Sequence, residues 1–385
     1  MPERMALVGV FNLGGKLPFY WRLTTSPIGY PEVPEELEFS LTNDKGLISM
    51  VRTPELLENL SKVYELDYNI GYIQEEYDIA QPFVDDFRKF LFKYTNPLAP
   101  NSTILEIGCG GAILLHELNE LGFRTFGVDP SPTAIRAADK YGFTLVPKFF
   151  TAELFSEKFD LVFHSDVLEH AFDPRKFIDE QKKVLNPQGV VIISVPNAEE
   201  NIQYADISMA MHQHLQYFTA ESLGKMMEIA GFELLEIRAA DYGGSLYCAA
   251  RRKDDNEVSV QSHDSENIYD LPNFKDSIEK FRYALATSHG EIGFYVPLRA
   301  MPYLSAISVD MKNSEYRFFD DTAHWHGHHF DGTSIPIESF QDILQRPPNT
   351  IFIMSLTFEK QIKSKIVSHF GDQITVVSLR EILSR

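Results

Sequence analysis

A glycine-containing turn stands out near residue 110 because an apolar run leads directly into it. The stretch from Ile104 to Ala112 reads ILEIGCGGA, and the helical pattern ILLHEL follows. Gly108 and Gly110 would let a ligand approach backbone N–H groups at the positive end of that helix. The turn departs from the G-x-G-x-x-G pattern of dinucleotide sites, since Ile113 stands at the position of the last glycine. This departure weakens the case for a bound pyrophosphate.

Two carboxylates accompany the turn. Asp129 follows Gly108 by about 20 residues, at the end of the next predicted strand, where a carboxylate can chelate ribose hydroxyls. Glu106 precedes the first glycine and adds negative charge, which repels phosphate and suits a ligand that carries a cation. The alternatives are a tight turn without a ligand and, for Asp129, a role in capping the following helix.

A second group of reactive residues lies in the stretch 209–223, which reads MAMHQHLQYFTAESL. His212 and His214 fall on a predicted loop at the carboxyl edge of the sheet, where α/β proteins bind ligands. The pKa of histidine is near neutrality, so either ring could take a proton from an acceptor. Tyr217 is predicted to lie on the same site loop. The alternative is that both histidines only bond to the backbone.

Strands and helices that alternate from about residue 101 must position these residues. The helix pattern SPTAIRAADKYG begins with Ser131 as N-cap and Pro132 at the first helical position, and Gly142 ends it. Five strand–helix steps precede a hairpin whose turn is predicted at 241–244. This pattern predicts an open α/β sheet with one antiparallel strand.

The remaining chain is predicted to form a linker and a second, smaller α/β domain. The charged segment 251–267 is poor in large apolar residues and is predicted to be the linker. After it, strand-like patterns alternate with helical ones. One of these strand predictions is LSAISVD, at 304–310.

Composition limits the class of protein. The net charge of −20 argues against a long nucleic-acid track, because phosphates need a basic face. Cys109 and Cys248 are the two cysteines, and they indicate neither a disulfide framework nor a zinc ribbon. No apolar run reaches the length of about 20 residues that a membrane span needs, and the first residues do not resemble a secretory signal. We therefore expect a reduced, cytoplasmic protein that binds a small molecule rather than a nucleic acid or a membrane.

Four motifs in order resemble those of class I S-adenosylmethionine-dependent methyltransferases. They are LEIGCGGA, GVDPS, FDLVFHSDVLEHAFDP and LNPQGVVIISVPN. The resemblance implies a Rossmann-like sheet and S-adenosyl-L-methionine as cofactor. It also implies that Gly108 and Gly110 contact the methionine part of the cofactor, that Asp129 contacts the ribose, and that the segment from His164 to Asp166 flanks the cofactor.

A narrower resemblance covers nearly the whole chain. The stretch HQHLQYFT is similar to the H-L-x-Y-F-S/T region of sugar C-methyltransferases, and GTSIPI at 332–337 is similar to their GTHIPI signature. The N-terminal stretches FNLGGKLPFYWRL and LEFSLTNDKGLISM resemble the zinc-binding module of that family. The resemblance implies a nucleotide-linked deoxysugar as acceptor, His214 as general base and His212 as a residue that shapes the pocket. It implies an N-terminal module at 1–75, a methyltransferase domain at 76–250, the linker at 251–267 and an acceptor-binding domain at 268–385.

The chain departs from that family at several positions. Thr42 and Lys45 stand where cysteines should bind zinc, so we expect no metal in the N-terminal module, because structural zinc sites need thiolate or imidazole ligands. Gln213 occupies the position of a usual glutamate, and Met211 that of a usual tyrosine. Glutamine cannot accept a proton, so His214 remains the single candidate for the base.

These departures leave other functions open. One alternative is an O- or N-methyltransferase that acts on another small metabolite. Another is a scaffold protein that binds the cofactor without turnover. A histidine-rich segment at 324–329, HWHGHH, is predicted to be a polar loop near the acceptor rather than a metal site, because Gly327 interrupts the spacing of its rings.

Overall fold

The computed structural model describes residues 10–19, 23–24, 34, 36–44, 46–65, 81–253, 271–312, 315–330 and 332–385. The chain divides into two compact units. The first unit comprises Met1–Leu56, Ala198–His214 and Ile268–Arg385, and the second comprises Leu57–Asn197 and Leu215–Asn267. This division differs from the four consecutive segments predicted above, because 198–214 groups with the N-terminal and C-terminal parts of the chain. The segment groups with the C-terminal domain because Tyr303 and Arg299 of that domain donate hydrogen bonds to it.

The N-terminal part of the first unit is a small antiparallel β-structure. It contains β1 (Val10–Pro18), β2 (Leu23–Thr24), β3 (Glu36–Asp44) and β4 (Leu47–Met50). β3 pairs with both β1 and β4, and a bulge interrupts β1 between Asn12 and Lys16. Apolar side chains such as Leu17, Phe39 and Leu41 are buried within it. The helix α1 (Pro54–Glu65) follows.

We expect the N-terminal region to fold without zinc, and elemental analysis of a purified, untagged protein that spans residues 1–75 should find no stoichiometric zinc. Thr42 lies in β3 opposite Val10 and Ser49, and none of these residues offers a thiolate or an imidazole. Lys45, the other substituted position, lies outside the described residues. The two cysteines, Cys109 and Cys248, are buried in the second unit. One tightly held zinc ion per chain would contradict this prediction.

The second unit is built on a seven-stranded sheet, and its spatial order is β11-β12-β9-β8-β5-β6-β7. All of its strands are parallel except β12, which pairs antiparallel with both β9 and β11. The predicted α/β sheet with one antiparallel strand is therefore confirmed.

The elements of the second unit are α2 (Gln81–Thr95), β5 (Thr103–Ile107), α3 (Ile113–Glu120), β6 (Arg124–Val128), α4 (Pro132–Tyr141), β7 (Thr144–Val146), β8 (Phe159–Ser165), α5 (Pro174–Val184), β9 (Leu185–Pro196), β10 (Gln216–Tyr217), α7 (Ala220–Ile229), β11 (Phe232–Ala239) and β12 (Ser245–Arg252).

Local sequence signals explain the ends of α4. The Ser131 side chain accepts a hydrogen bond from the Ala134 N–H, Pro132 occupies the first turn, and Gly142 ends the helix with φ of 75°. All three predictions for this helix are confirmed. At the other end of the unit the predicted linker began too early, because Arg251 and Arg252 belong to β12: Arg251 pairs with both β9 and β11, and Arg252 pairs with β11. The rest of the predicted linker, from residue 254, lies outside the described residues.

The C-terminal part of the first unit contains a parallel five-stranded sheet with the order β16-β14-β13-β17-β18. The short helix α6 (Glu199–Gln203) also belongs to this unit. The remaining elements are α8 (Phe274–Ala286), β13 (Ile292–Tyr295), α9 (Pro297–Ala306), β14 (Arg317–Phe319), β15 (His329–Phe330), β16 (Ile337–Glu338), α10 (Phe340–Gln345), β17 (Thr350–Ile353), α11 (Glu359–Phe370), β18 (Thr375–Ser378) and α12 (Leu379–Leu383). The predicted smaller α/β domain is present in these residues.

One strand prediction in this domain was wrong. The segment 304–310 was predicted to be a strand, but Leu304 lies in α9, which runs to Ala306. The helix begins with Pro297 in its first turn and buries Ala300, Met301, Tyr303 and Leu304. Burial of this face outweighs the weak local strand pattern.

Among the described residues, no helix has both the length and the apolar character that a membrane span requires.

Candidate active site

The glycine turn between β5 and α3 is tightly packed. The Gly108 N–H donates to the Val128 carbonyl at 2.8 Å, and the backbone of Gly108 has φ of 70°. A Cβ atom at this position would lie 2.5 Å from Cγ2 of Val167, which follows β8. Gly110 has φ of 44°. Both a left-handed backbone and the neighbouring side chain therefore require glycine at position 108.

Asp129 connects this turn to the start of α4. The side chain is 2% exposed. Its Oδ2 accepts the Gly110 N–H at 2.9 Å, and its Oδ1 accepts the Ser131 N–H at 2.7 Å. A carboxylate oxygen has two lone pairs, so each oxygen keeps one acceptor position that a hydroxyl can use. Gly110 and Asp129 are therefore in direct contact, and the contact of Asp129 with ribose stays a prediction.

The other predicted cofactor residues differ in their exposure. Glu106 is buried on β5. His164, on β8, is fully buried against α5, with its ring centroid 5.6 Å from that of Phe177 and its Nε2 3.3 Å from the Gln181 amide nitrogen. Burial lowers the pKa of His164 to about 3, so its ring is neutral. His164 is therefore a core residue on the α5 side of the sheet, whereas Asp166, two residues further, is exposed.

Asp166 and Glu169 form an acidic pair after β8. Asp166 has φ of 54°, and although solvent reaches its side chain, the surrounding protein desolvates it enough to raise its pKa to about 6. Glu169 is 1% exposed. Burial, and to a smaller extent the nearby Asp166 charge, raise its pKa well above the usual value. Sequence reasoning did not single out Glu169, because a glutamate in so acidic a chain is usually solvated. Only its burial distinguishes it.

We expect the affinity for S-adenosylmethionine to fall by up to about 10-fold as the pH drops from 7 to 5, because protonation of Asp166 would remove a negative charge from the segment that is predicted to flank the cationic cofactor. Calorimetric titration at several pH values would measure this. Asp166→Asn should bind more weakly at pH 7 and lose most of the pH dependence. The uncharged sulfur of S-adenosylhomocysteine makes that ligand a useful control, and its affinity should change less.

The same carboxyl group should also affect stability. The pKa of Asp166 is about 6 in the folded protein, compared with an ordinary value of 3.8. The folded protein therefore loses stability relative to the unfolded chain as the pH rises from 3.8 to about 6, because the folded state favours the neutral carboxyl group. Ligand-free Asp166→Asn should therefore melt at a higher temperature than the parent protein at pH 7 but not at pH 4. An equal change in melting temperature at both pH values would contradict the assignment.

The two predicted acceptor-side histidines have different environments. His212 is 1% exposed, and its Nε2 lies 3.3 Å from the Glu38 carbonyl oxygen. Its ring centroid is 5.5 Å from that of Phe19 and 5.6 Å from that of Phe39. His214 is half-buried, and its backbone N–H donates to the Met211 carbonyl at 3.1 Å. His212 is thus packed against the N-terminal strands, while His214 is the more accessible ring.

The predicted site residues do not all belong to one unit. Hydrogen bonds bring Gly110 and Asp129 together in the second unit, which also contains Tyr217, a 3% exposed residue of β10. His212 and His214 belong to the first unit, with the N-terminal strands and the C-terminal domain. In the histidine-rich loop, His326 Nε2 lies 2.9 Å from the Asp320 carbonyl oxygen. His328 Nδ1 lies 3.3 Å from the His326 carbonyl oxygen, which agrees with the prediction of a polar loop.

Comparison with known proteins identifies the class of enzyme. Residues 75–237 match the family model of a methyltransferase domain. The strand order, the glycine turn and this match together identify a class I S-adenosylmethionine-dependent methyltransferase domain in this chain. The predicted class, fold and cofactor are confirmed.

Individual relatives extend the comparison. The C-methyltransferase NovU of Streptomyces niveus is 24% identical over 334 residues, which cover 80% of this chain and 79% of that protein. A ubiquinone biosynthesis O-methyltransferase of Azorhizobium caulinodans is 31% identical over 153 residues, and this chain spans only 60% of that relative's length. Among solved structures, the N-methyltransferase NodS of Bradyrhizobium japonicum with S-adenosyl-L-homocysteine is 20% identical. It covers 45% of this chain and 89% of that one, with a TM-score of 0.36.

The residues of the second unit fit S-adenosylmethionine. Gly108 provides backbone without a side chain, Asp129 keeps acceptor positions for hydroxyls, and the predicted cofactor residues Glu106 and Asp166 are both acidic, which suits a cation. When bound, this cofactor supplies a methyl group on a positively charged sulfur. The chain itself must hold the cofactor, orient the acceptor and, where the acceptor carries a proton, remove that proton.

Proposed function

We propose that this enzyme transfers the methyl group to a carbon atom of a nucleotide-linked deoxysugar and takes part in carbohydrate biosynthesis. Similarity to a C-methyltransferase over 80% of the chain supports this proposal, because it extends well beyond the methyltransferase domain itself. The observation that carries the role of the histidine loop is the contrast in burial between His212 and His214. Only His214 combines a half-buried ring with a position in this loop.

The proposed chemistry follows from the acceptor. A carbon atom becomes nucleophilic when a base removes a proton next to a carbonyl group, so a keto-sugar is the chemically suitable form of the deoxysugar. A neutral imidazole at His214 takes that proton. S-adenosylmethionine, held by Gly108, Gly110 and Asp129, would supply the methyl group to the electron pair left on the carbon and would keep the electrons of the sulfur–methyl bond. His212 helps to shape the loop from its buried position against Phe19 and Phe39.

A turnover assay with carbon-13-labelled cofactor tests the proposal. The purified full-length protein is given nucleoside-diphosphate keto-deoxysugars, simple phenols and small amines in parallel, and NMR identifies the atom that carries the labelled methyl group. We expect a carbon-bound methyl group on a keto-sugar. A methyl group on oxygen or nitrogen would support the alternative acceptors instead, and cofactor binding without any product would support the scaffold alternative.

A further inference from the structure

A buried carboxylate organises the segment that leads to the histidine loop. Asp206 is fully buried and accepts hydrogen bonds on both oxygens. Its Oδ2 accepts from the Asn201 amide at 2.7 Å and from the Ser208 hydroxyl at 2.6 Å, and its Oδ1 accepts from the Ser208 N–H at 2.8 Å. The Tyr303 hydroxyl completes the set, at 2.9 Å from Oδ1. A buried charge needs such donors, because desolvation without them is costly.

The donor Tyr303 comes from a distant part of the chain. It lies on α9 of the C-terminal domain, 97 residues beyond Asp206. Arg299, one helical turn earlier on α9, donates to the Ser208 carbonyl at 3.2 Å. Burial and the Asp206 charge raise the pKa of Tyr303 well above its ordinary value, so the hydroxyl stays protonated and keeps donating. One helix therefore holds this segment through both a side chain and a backbone carbonyl.

The histidine loop is fixed at a second point. His212 is buried against Phe19 and Phe39, and its Nε2 lies 3.3 Å from the Glu38 carbonyl oxygen. The segment from Asp206 to His212 is thus held at its start by α9 and at its end by the N-terminal strands. His214 follows two residues later, and its backbone N–H donates to the Met211 carbonyl.

We propose that Tyr303 and Arg299, through Asp206 and Ser208, are positioning residues for His214, so that the C-terminal domain controls the geometry of proton removal. This inference rests on the proposed role of His214 as general base. It gives the C-terminal domain a part in catalysis in addition to its predicted binding of the acceptor. Neither residue touches the reacting atoms in this scheme.

Tyr303→Phe tests the proposal, because it removes one hydrogen bond to Asp206 and keeps the ring that fills the core. We expect kcat with the keto-sugar acceptor to fall about 10-fold, while the dissociation constant for S-adenosylmethionine changes less than twofold. Tyr283→Phe on α8, where the side chain is 67% exposed, is the matched control and should behave like the parent protein. A lower melting temperature with unchanged kcat would show that Tyr303 serves stability alone and would overturn the proposal.

A second measurement does not need the acceptor. Hydrogen–deuterium exchange with S-adenosylhomocysteine present should show that the peptide spanning 206–214 exchanges at least about 10-fold faster in Tyr303→Phe and in Arg299→Ala, while the glycine turn exchanges at the parent rate. Unchanged exchange of 206–214 in both variants would contradict the attachment. If exchange accelerates but His214→Asn retains full turnover, the attachment stands and the proposed base is wrong. If His214→Asn is inactive and Tyr303→Phe has normal kcat, the base stands and the positioning role is wrong.

Discussion

Replacement of His214 with asparagine should lower turnover by about 100-fold or more while the affinity for S-adenosylmethionine stays nearly unchanged. Asparagine keeps a polar side chain of similar reach but cannot accept a proton at neutral pH. The cofactor residues lie in the other unit of the chain and are not altered by the change. Single-turnover kinetics with the keto-sugar, together with calorimetry for the cofactor, would measure both quantities.

Two further histidine variants make the result specific. His212→Asn should mainly raise the apparent KM for the acceptor, because His212 is buried against Phe19 and Phe39 and shapes the loop. His369→Asn, on the exposed surface of α11, should leave both constants unchanged. Near-normal turnover in the His214 variant would place the base elsewhere. Tyr217 would then be the next candidate, since burial lowers the pKa of His164 to about 3 and makes that ring a weak base.

The second large effect concerns Asp129. Asp129→Ala should weaken the affinity for S-adenosylmethionine by about 10- to 100-fold, because the two hydrogen bonds that Asp129 is predicted to make to the ribose would be lost at typical energies. The alanine variant also leaves the Gly110 and Ser131 N–H groups without their present acceptor, which loosens the glycine turn. We therefore expect an effect near the upper end of that range. Isothermal titration calorimetry would measure it.

The controls for Asp129 separate binding from folding. Asp139→Ala, at an exposed position on α4, removes the same charge from the same region and should leave the affinity unchanged. Circular dichroism should show that Asp129→Ala keeps its α/β fold. A folded Asp129→Ala protein that binds the cofactor as tightly as the parent would disprove the assignment of Asp129 to the ribose.

The sequence alone predicted the methyltransferase sheet and its cofactor turn, because both depend on short-range patterns. Short segments rich in apolar residues, TILEI and FDLVFHS, specify the strands β5 and β8 wherever they are placed in the fold. Ser131, Pro132 and Gly142 act within one helix, so its ends could be predicted from neighbours in the chain. The pairing of Gly110 with Asp129 also follows from the alternation, since adjacent parallel strands end at the same edge.

Tertiary structure decided which of the predicted site residues are accessible. His164 and His212 are both buried and His214 is not, although each stands beside polar residues in the sequence. His164 is buried because it packs against α5, and His212 is buried because it packs against the N-terminal strands, which lie far from it along the chain.

The helix α9 was mistaken in part for a strand for a similar reason, because its buried face is defined only by the elements that cover it. The attachment of Asp206 to Tyr303 joins residues 97 positions apart, and no local pattern records such a contact. Long-range burial and hydrogen bonding, rather than propensity, determined these features.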